Sequence, residues 1–155
     1  MKPSPDWQAG VVVSRGVAWL SHVSNLLVAL TGLVYFVMKY LMQPADPFDV
    51  VNHPWQPAMQ HAHVVTAPLL VFACGVLLYH AVLGIRTPRP RRRSGLSLVA
   101  MFVPMVLSAY FLQVSADELW RKVWAWTHLG TSLVWTVATV AHAVPAAVKW
   151  WRRQA

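Results

Sequence analysis

Four long apolar runs, separated by three short polar connections, organise the chain. They cover about residues 17–41, 57–85, 96–114 and 119–148. A helix needs about 20 apolar residues to cross the hydrocarbon core of a bilayer. The pattern therefore predicts an all-α membrane protein, a four-transmembrane-helix bundle forming one domain over 1–155. Pro57 suits the first turn of the second helix, where a missing N–H costs nothing. Pro68, Pro104 and Pro145 fall inside spans or near their ends, where neighbouring groups can satisfy the freed carbonyls. No internal repeat and no low-complexity segment is evident along the sequence.

Composition strengthens the membrane reading. The chain is 57% hydrophobic and 12% charged, against about 25% charged in ordinary soluble domains. The first connection, "MQPADPFDVVNHPWQ", has two acids and no Lys or Arg; the second, "RTPRPRRRS", has five arginines; the third, "SADELWRK", is mixed. Placing both termini with the arginine connection puts ten basic residues on one side: Lys2, Arg15, Arg86, Arg89, Arg91, Arg92, Arg93, Lys149, Arg152 and Arg153. Only Lys39, Arg121 and Lys122 fall on the other. By the positive-inside rule both termini are expected in the cytoplasm. Trp120, Trp124 and Trp126 then form an outer aromatic belt, and Trp150 and Trp151 an inner one.

The formal net charge of +8 flanks apolar spans instead of forming one basic face, which argues against a nucleic-acid partner. Contact with anionic lipid is a secondary role for the arginine run. Cys74 is the only cysteine, so no disulfide forms within the chain. No Cys-x-x-Cys-His is present, which excludes covalent c-type haem. The opening "MKPSPDWQAG" has no apolar core or small-residue cleavage site, so no cleaved signal peptide is expected.

The histidines carry the candidate chemistry. His128 and His142 lie fourteen residues apart in the fourth span. At about 100° per residue they return to within roughly 40° of one face, about 21 Å apart along the axis. Depth sorts the remainder. His61 and His63 lie near the outer end of the second span, His80 near its inner end, and His22 about two turns into the first span from the cytoplasm. His53 lies in the outer connection. Ionisable residues inside membranes are costly and commonly functional. Zinc would want Cys or carboxylate partners, which the spans lack at these depths. Haem iron instead takes two imidazoles from facing helices, and its apolar ring suits a bundle core. Gly32, Ala29, Gly75, Ala67, Gly130 and Ala138 are small residues that would let such a ring approach the backbone, although plain helix packing also explains them.

The second span does not easily turn both His80 and either His61 or His63 to one face, because seventeen or nineteen residues leave about 100° between them, whereas the fourth span does. The expected outer pair is therefore His128 with His63, His61 remaining the alternative, and the expected inner pair is His22 with His142. His80 is left as a polar group at a quinone site, a proton carrier, a replacement for His22, or a rim histidine touching headgroups or a haem propionate. Arg15 and Arg86 lie at the inner surface, where interfacial anchoring explains them and pairing with haem propionates is the alternative. Ser21, Thr66, Thr127 and Thr131 could brace the imidazoles or simply bond their own helix carbonyls.

"SRGVAWLSHVSNLLVALTGLVYF" resembles the first helix of the membrane cytochromes b of respiratory formate dehydrogenases and nickel–iron hydrogenases, with Arg15, His22, Thr31 and Gly32 carrying the likeness. "WTHLGTSLVWTVATVAHAV" is similar to their fourth helix, and the four-helix bacterial cytochrome b561 proteins share the plan. The resemblance spans roughly residues 14–148. It implies two haem b groups, electron exchange with quinone on one face of the bacterial inner membrane, and a periplasmic redox partner on the other: a multihaem cytochrome c, an iron–sulfur protein or a molybdenum protein. It implies the same haem pairing. The chain departs from the pattern in carrying His61, His63 and His80 where one ligand would suffice. No substrate-oxidising domain is present, so a membrane anchor subunit is the expected role. A free-standing quinone oxidoreductase is the first alternative. A haemless scaffold or transporter with a histidine proton relay is an alternative from a different class. The acids of the outer connections, Asp46, Asp49, Asp117 and Glu118, would steer a basic partner or act as solvated loop charge.

Overall fold

The computed structural model of the protein describes residues 13–86 and 92–151. Among these every regular element is helical. They are α1 (Arg15–Phe36), extended by a π-helical turn (Val37–Leu41), α2 (Gln56–Val76), α3 (Leu78–Arg86), α4 (Arg92–Val114) and α5 (Glu118–Trp151). Ser14 caps α1, its hydroxyl accepting from the Val17 N–H at 3.3 Å. Pro57 occupies the first turn of α2, as the sequence predicts. Asp117 caps α5 by accepting from the Trp120 N–H at 3.0 Å.

The chain divides into two compact units, 1–80 and 81–155. In the first, α1 packs on α2; in the second, α4 packs on α5. The hairpin interiors mix small and polar residues with a few large apolar ones, and many large apolar side chains face outward. Ser24, Ala73 and Leu70 are buried in the first, and Ser108, Met105, Trp135 and Ala138 in the second. Large apolar residues are exposed on every long helix: Leu26, Leu30 and Leu33 on α1, Val65 and Phe72 on α2, Val103 and Leu107 on α4, and Leu133, Val137 and Val140 on α5. Water would penalise this inside-out distribution, whereas lipid favours it, because small residues let helices approach where no hydrophobic force drives them together.

Three helical stretches are long and apolar enough to cross a membrane: Arg15–Leu41, Gln56–Val76 and Gly95–Val114. The protein is thus a multi-pass membrane protein by its own helices. The fourth predicted span, α5, is one continuous helix of 34 residues, roughly 50 Å long. Thr127, His128, Thr131, Ser132, Thr136 and Thr139 stand among its apolar residues. The second predicted span, 57–85, is not one helix. It breaks at Leu77 into α2 and α3, where the Leu77 N–H reaches the carbonyls of Ala73 and Gly75. The phase comparison between His63 and His80 assumed an unbroken helix, so the break removes its basis. Most of the arginine connection and both chain ends lie outside the described residues.

At the end of α1, Lys39 donates to the Tyr35 hydroxyl at 3.2 Å and lies 5.4 and 5.5 Å from the ring centres of Tyr35 and Tyr40. An ammonium held over aromatic rings suits the edge of an apolar span.

Candidate functional site: two matched histidine mounts

His63, on α2, lies directly on α1. Its Nδ1 is 3.0 Å from the Val28 carbonyl oxygen and 3.3 Å from the Thr31 hydroxyl. A carbonyl only accepts, so Nδ1 carries the proton and the basic lone pair falls on Nε2. The ring rests on bare backbone: a Cβ at Gly32 would stand 2.8 Å from His63 Cε1. Gly32 is therefore small because the imidazole occupies the space a methyl would fill.

The second hairpin builds the same arrangement. His128, on α5, has Nδ1 3.1 Å from the Met105 carbonyl oxygen and 3.4 Å from the Ser108 hydroxyl, both on α4. Nδ1 again donates. The Ser132 hydroxyl lies 3.5 Å from Nε2, where it can only be the donor.

The match extends along both helices. The carbonyl and the hydroxyl are three residues apart in each case, in "VALTG" (28–32) and "MVLSA" (105–109). Three residues after each histidine a threonine bonds back to its own helix. Thr66 reaches the carbonyls of Ala62 and His63 at 2.8 and 3.1 Å, and Thr131 those of Thr127 and His128 at 2.8 and 3.1 Å. Seven and ten residues after each histidine the chain is buried, at Leu70 and Ala73 in one hairpin and at Trp135 and Ala138 in the other. The chain thus carries an internal structural repeat, contrary to the reading of its sequence. The two copies share few residue identities and different loop lengths, so only the contacts align them.

The geometry separates the other candidates. His61 is exposed and His63 partly buried, which favours His63 of the two. His142 is partly buried beside α4, its ring 3.5 Å from where a Cβ at Gly95 would be. His22 and Arg15 are exposed on α1. His80, in α3, has a buried Nδ1 with no hydrogen-bond partner among the described residues. His53 accepts the Trp55 N–H at 3.1 Å, a local role at the entry to α2. Ser21, Thr66, Thr127 and Thr131 bond carbonyls of their own helices. The hydroxyls that do reach an Nδ1 belong to Thr31, noted in sequence only beside Gly32, and Ser108, which sequence reasoning missed. No side-chain pattern marks Ser108, because the neighbouring acceptor is the Met105 backbone carbonyl.

The acids of the connections are engaged locally. Asp46 accepts from the Phe48 N–H at 2.8 Å, Asp49 from the Asp46 N–H at 3.2 Å, and Glu118 pairs with Lys122 at 2.7 Å. Lys122 donates to Glu118 and sits beside it, holding its carboxyl below the usual range.

These residues fit an axial haem site in one specific respect. A histidine whose Nδ1–H is held by a carbonyl has its tautomer fixed and presents a basic Nε2, the usual arrangement for metal-ligating imidazoles. Among the described residues no group of three or more His, Cys, Asp or Glu gathers as a metal site. Each mount presents a single imidazole, too few ligands for a zinc centre within one hairpin. Comparison with protein-family models, curated proteins and solved structures gave no match.

Proposed function

We propose that the chain is a di-haem b-type cytochrome that carries electrons across the bacterial inner membrane, with α1, α2 with α3, α4 and α5 as four spans and both termini in the cytoplasm. The observation that carries this reading is the pair of matched mounts at His63 and His128. His63 and His128 would hold the outer haem. His22 and His142 would hold the inner one, with His80 as the other candidate beside His142. When bound, haem supplies the one-electron couple. The chain's own residues hold the proton on Nδ1 and set the ring plane; Nε2 would be the ligand, and on His128 the Ser132 hydroxyl proton would give way to the metal there. The Val28 and Met105 carbonyls draw on Nδ1–H and make each imidazole a stronger donor, which favours the oxidised metal and lowers the reduction potential. Arg15, exposed in the first turn of α1, would anchor the span at the interface or pair with an inner propionate.

In this reading one face exchanges electrons with quinone, and the buried, unpartnered Nδ1 of His80 is a polar group able to bind it or to pass a proton. The opposite face would meet a periplasmic redox subunit at the outer connections, where Phe48 and Val50 are almost fully exposed beside Asp46 and Asp49. The chain would then be the membrane anchor for a multihaem cytochrome c, an iron–sulfur protein or a molybdenum protein. The test is the visible spectrum of the purified protein, oxidised and dithionite-reduced, with haem quantified per chain. Two haems and a b-type α-band are expected. A well-folded, colourless preparation made with adequate haem would overturn the reading in favour of a scaffold or histidine proton relay, and quinone reduction by the chain alone would favour the free-standing oxidoreductase.

A further inference from the structure

We infer that Thr31 and Ser108 are positioning residues for His63 and His128: each hydroxyl is the second acceptor of a three-centre hydrogen bond from Nδ1–H and fixes the plane of the ring it touches. This rests on the haem reading for its purpose, but its geometry stands within each hairpin.

The argument starts from the hydroxyl protons. Thr31 Oγ1 donates to the Leu27 carbonyl at 2.8 Å, with a longer contact to the Val28 carbonyl at 3.1 Å. Ser108 Oγ donates to the Met105 carbonyl at 2.9 Å. A hydroxyl has one proton and two acceptor sites. With that proton engaged on the helix, the oxygen can only accept from Nδ1–H, at 3.3 Å in one hairpin and 3.4 Å in the other. A single carbonyl acceptor leaves an imidazole able to rock about its Cβ–Cγ bond. A second acceptor one helical turn along restricts that motion, because the N–H must lie between the two oxygens. Val28 with Thr31, and Met105 with Ser108, supply that fork from one helix face, once in each hairpin. Ring plane matters for an axial ligand, since it sets the overlap between the imidazole and the metal, and the strength of the Nδ1 hydrogen bond sets its basicity.

The experiment is made on the full-length chain with ¹⁵N-labelled histidine, first without haem and then loaded. Two-bond nitrogen–proton correlations report which ring nitrogen carries the proton. In the haem-free protein His63 and His128, assigned by loss of their signals in His63→Asn and His128→Asn, are expected as Nδ1–H tautomers. Thr31→Val should keep the Nδ1–H tautomer, which the Val28 carbonyl holds, but shift the His63 Nδ1 and Nδ1–H resonances as the second acceptor is lost, leaving His128 unchanged, with Thr31→Ser restoring the original pattern. Ser108→Ala should do the same to His128 alone, with Ser108→Thr restoring it. Should Thr31→Val not fold, Thr31→Ala removes the hydroxyl without adding a branched methyl. In the loaded protein each hydroxyl deletion should raise the potential of the same one haem and change its low-spin electron paramagnetic resonance signature. Nε2–H tautomers in the wild-type chain, or histidine resonances indifferent to both deletions, would overturn the inference. Locked tautomers in a chain that takes up no haem would support the positioning role while removing the haem reading.

Discussion

The two hairpins seat a histidine in the same way but set up the seat differently. In the first, the ring of His63 lies on the bare backbone of α1, and Gly32 makes the room. In the second, the position equivalent to Gly32 is Ala109. Ser108 is fully buried there, and aromatic pairs brace the helices around it. Phe111 stacks on Trp124 with centroids 4.8 Å apart, and Phe102 tilts against Trp135 at 5.6 Å. One mount depends on the absence of a side chain, the other on the presence of large ones. The lesson is that the conserved quantity within the repeat is the hydrogen-bond fork. The packing that delivers the fork is free to differ.

The sharpest way to break the comparison is Gly32→Ala. The added Cβ would fall 2.8 Å from a stiff ring, and overpacking of this kind costs about 1–3 kcal/mol. It should displace His63 and remove about half the bound haem, while Gly16→Ala, with open space around its Cβ, should leave haem content unchanged. Haem per chain measured on both variants checks this.

The second hairpin should break through its aromatics. Trp124→Ala removes the stack on Phe111 and a second one on Trp120, whose centroid lies 6.2 Å away. Aromatic pairs are worth about 0.5–1.5 kcal/mol each. The variant should lower the thermal midpoint in detergent and expose α5 amides to hydrogen exchange, with α1 and α2 protection unaltered.

The smallest effect belongs to the Glu118–Lys122 pair at the start of α5, whose side chains are 83% and 68% exposed. Because the folded Glu118 carboxyl is held below its usual range, its contribution is present at neutral pH and is lost as the pH falls through the folded value. Solvent screening leaves little of it. Thermal midpoints of wild type and Glu118→Gln should coincide at neutral pH and in acid, and a clear loss in the variant at neutral pH alone would show that this pair anchors α5.

Much of the fold was legible because lipid imposes a simple rule. An apolar run of about 20 residues crosses as a helix, and this located α1, α2 and α4 together with the start of α5. The break at Leu77 was not legible. It carries no proline, and Gly75 alone is tolerated within membrane helices, so the hydropathy of 57–85 reads as one span. At the site, His63 and His128 could be singled out because a costly residue stands alone in an apolar run. Their braces could not. Thr31 and Ser108 look like any hydroxyl that back-bonds its own helix, as Ser21 and Thr127 do, and only the approach of a ring from the neighbouring helix distinguishes them. The repeat escaped for the same reason, since Val28 and Met105 contribute backbone oxygens that no side-chain pattern reveals.

The central claim is that His63 and His128 serve one haem. It is tested most directly by haem content in His63→Ala, His128→Ala and the double variant, measured by pyridine haemochrome against protein in folded preparations. The account predicts that each single variant keeps about half the wild-type haem and that the double variant keeps the same half, because both substitutions empty one shared site. A double variant that loses all its haem would show that the two histidines serve separate groups and would contradict the pairing.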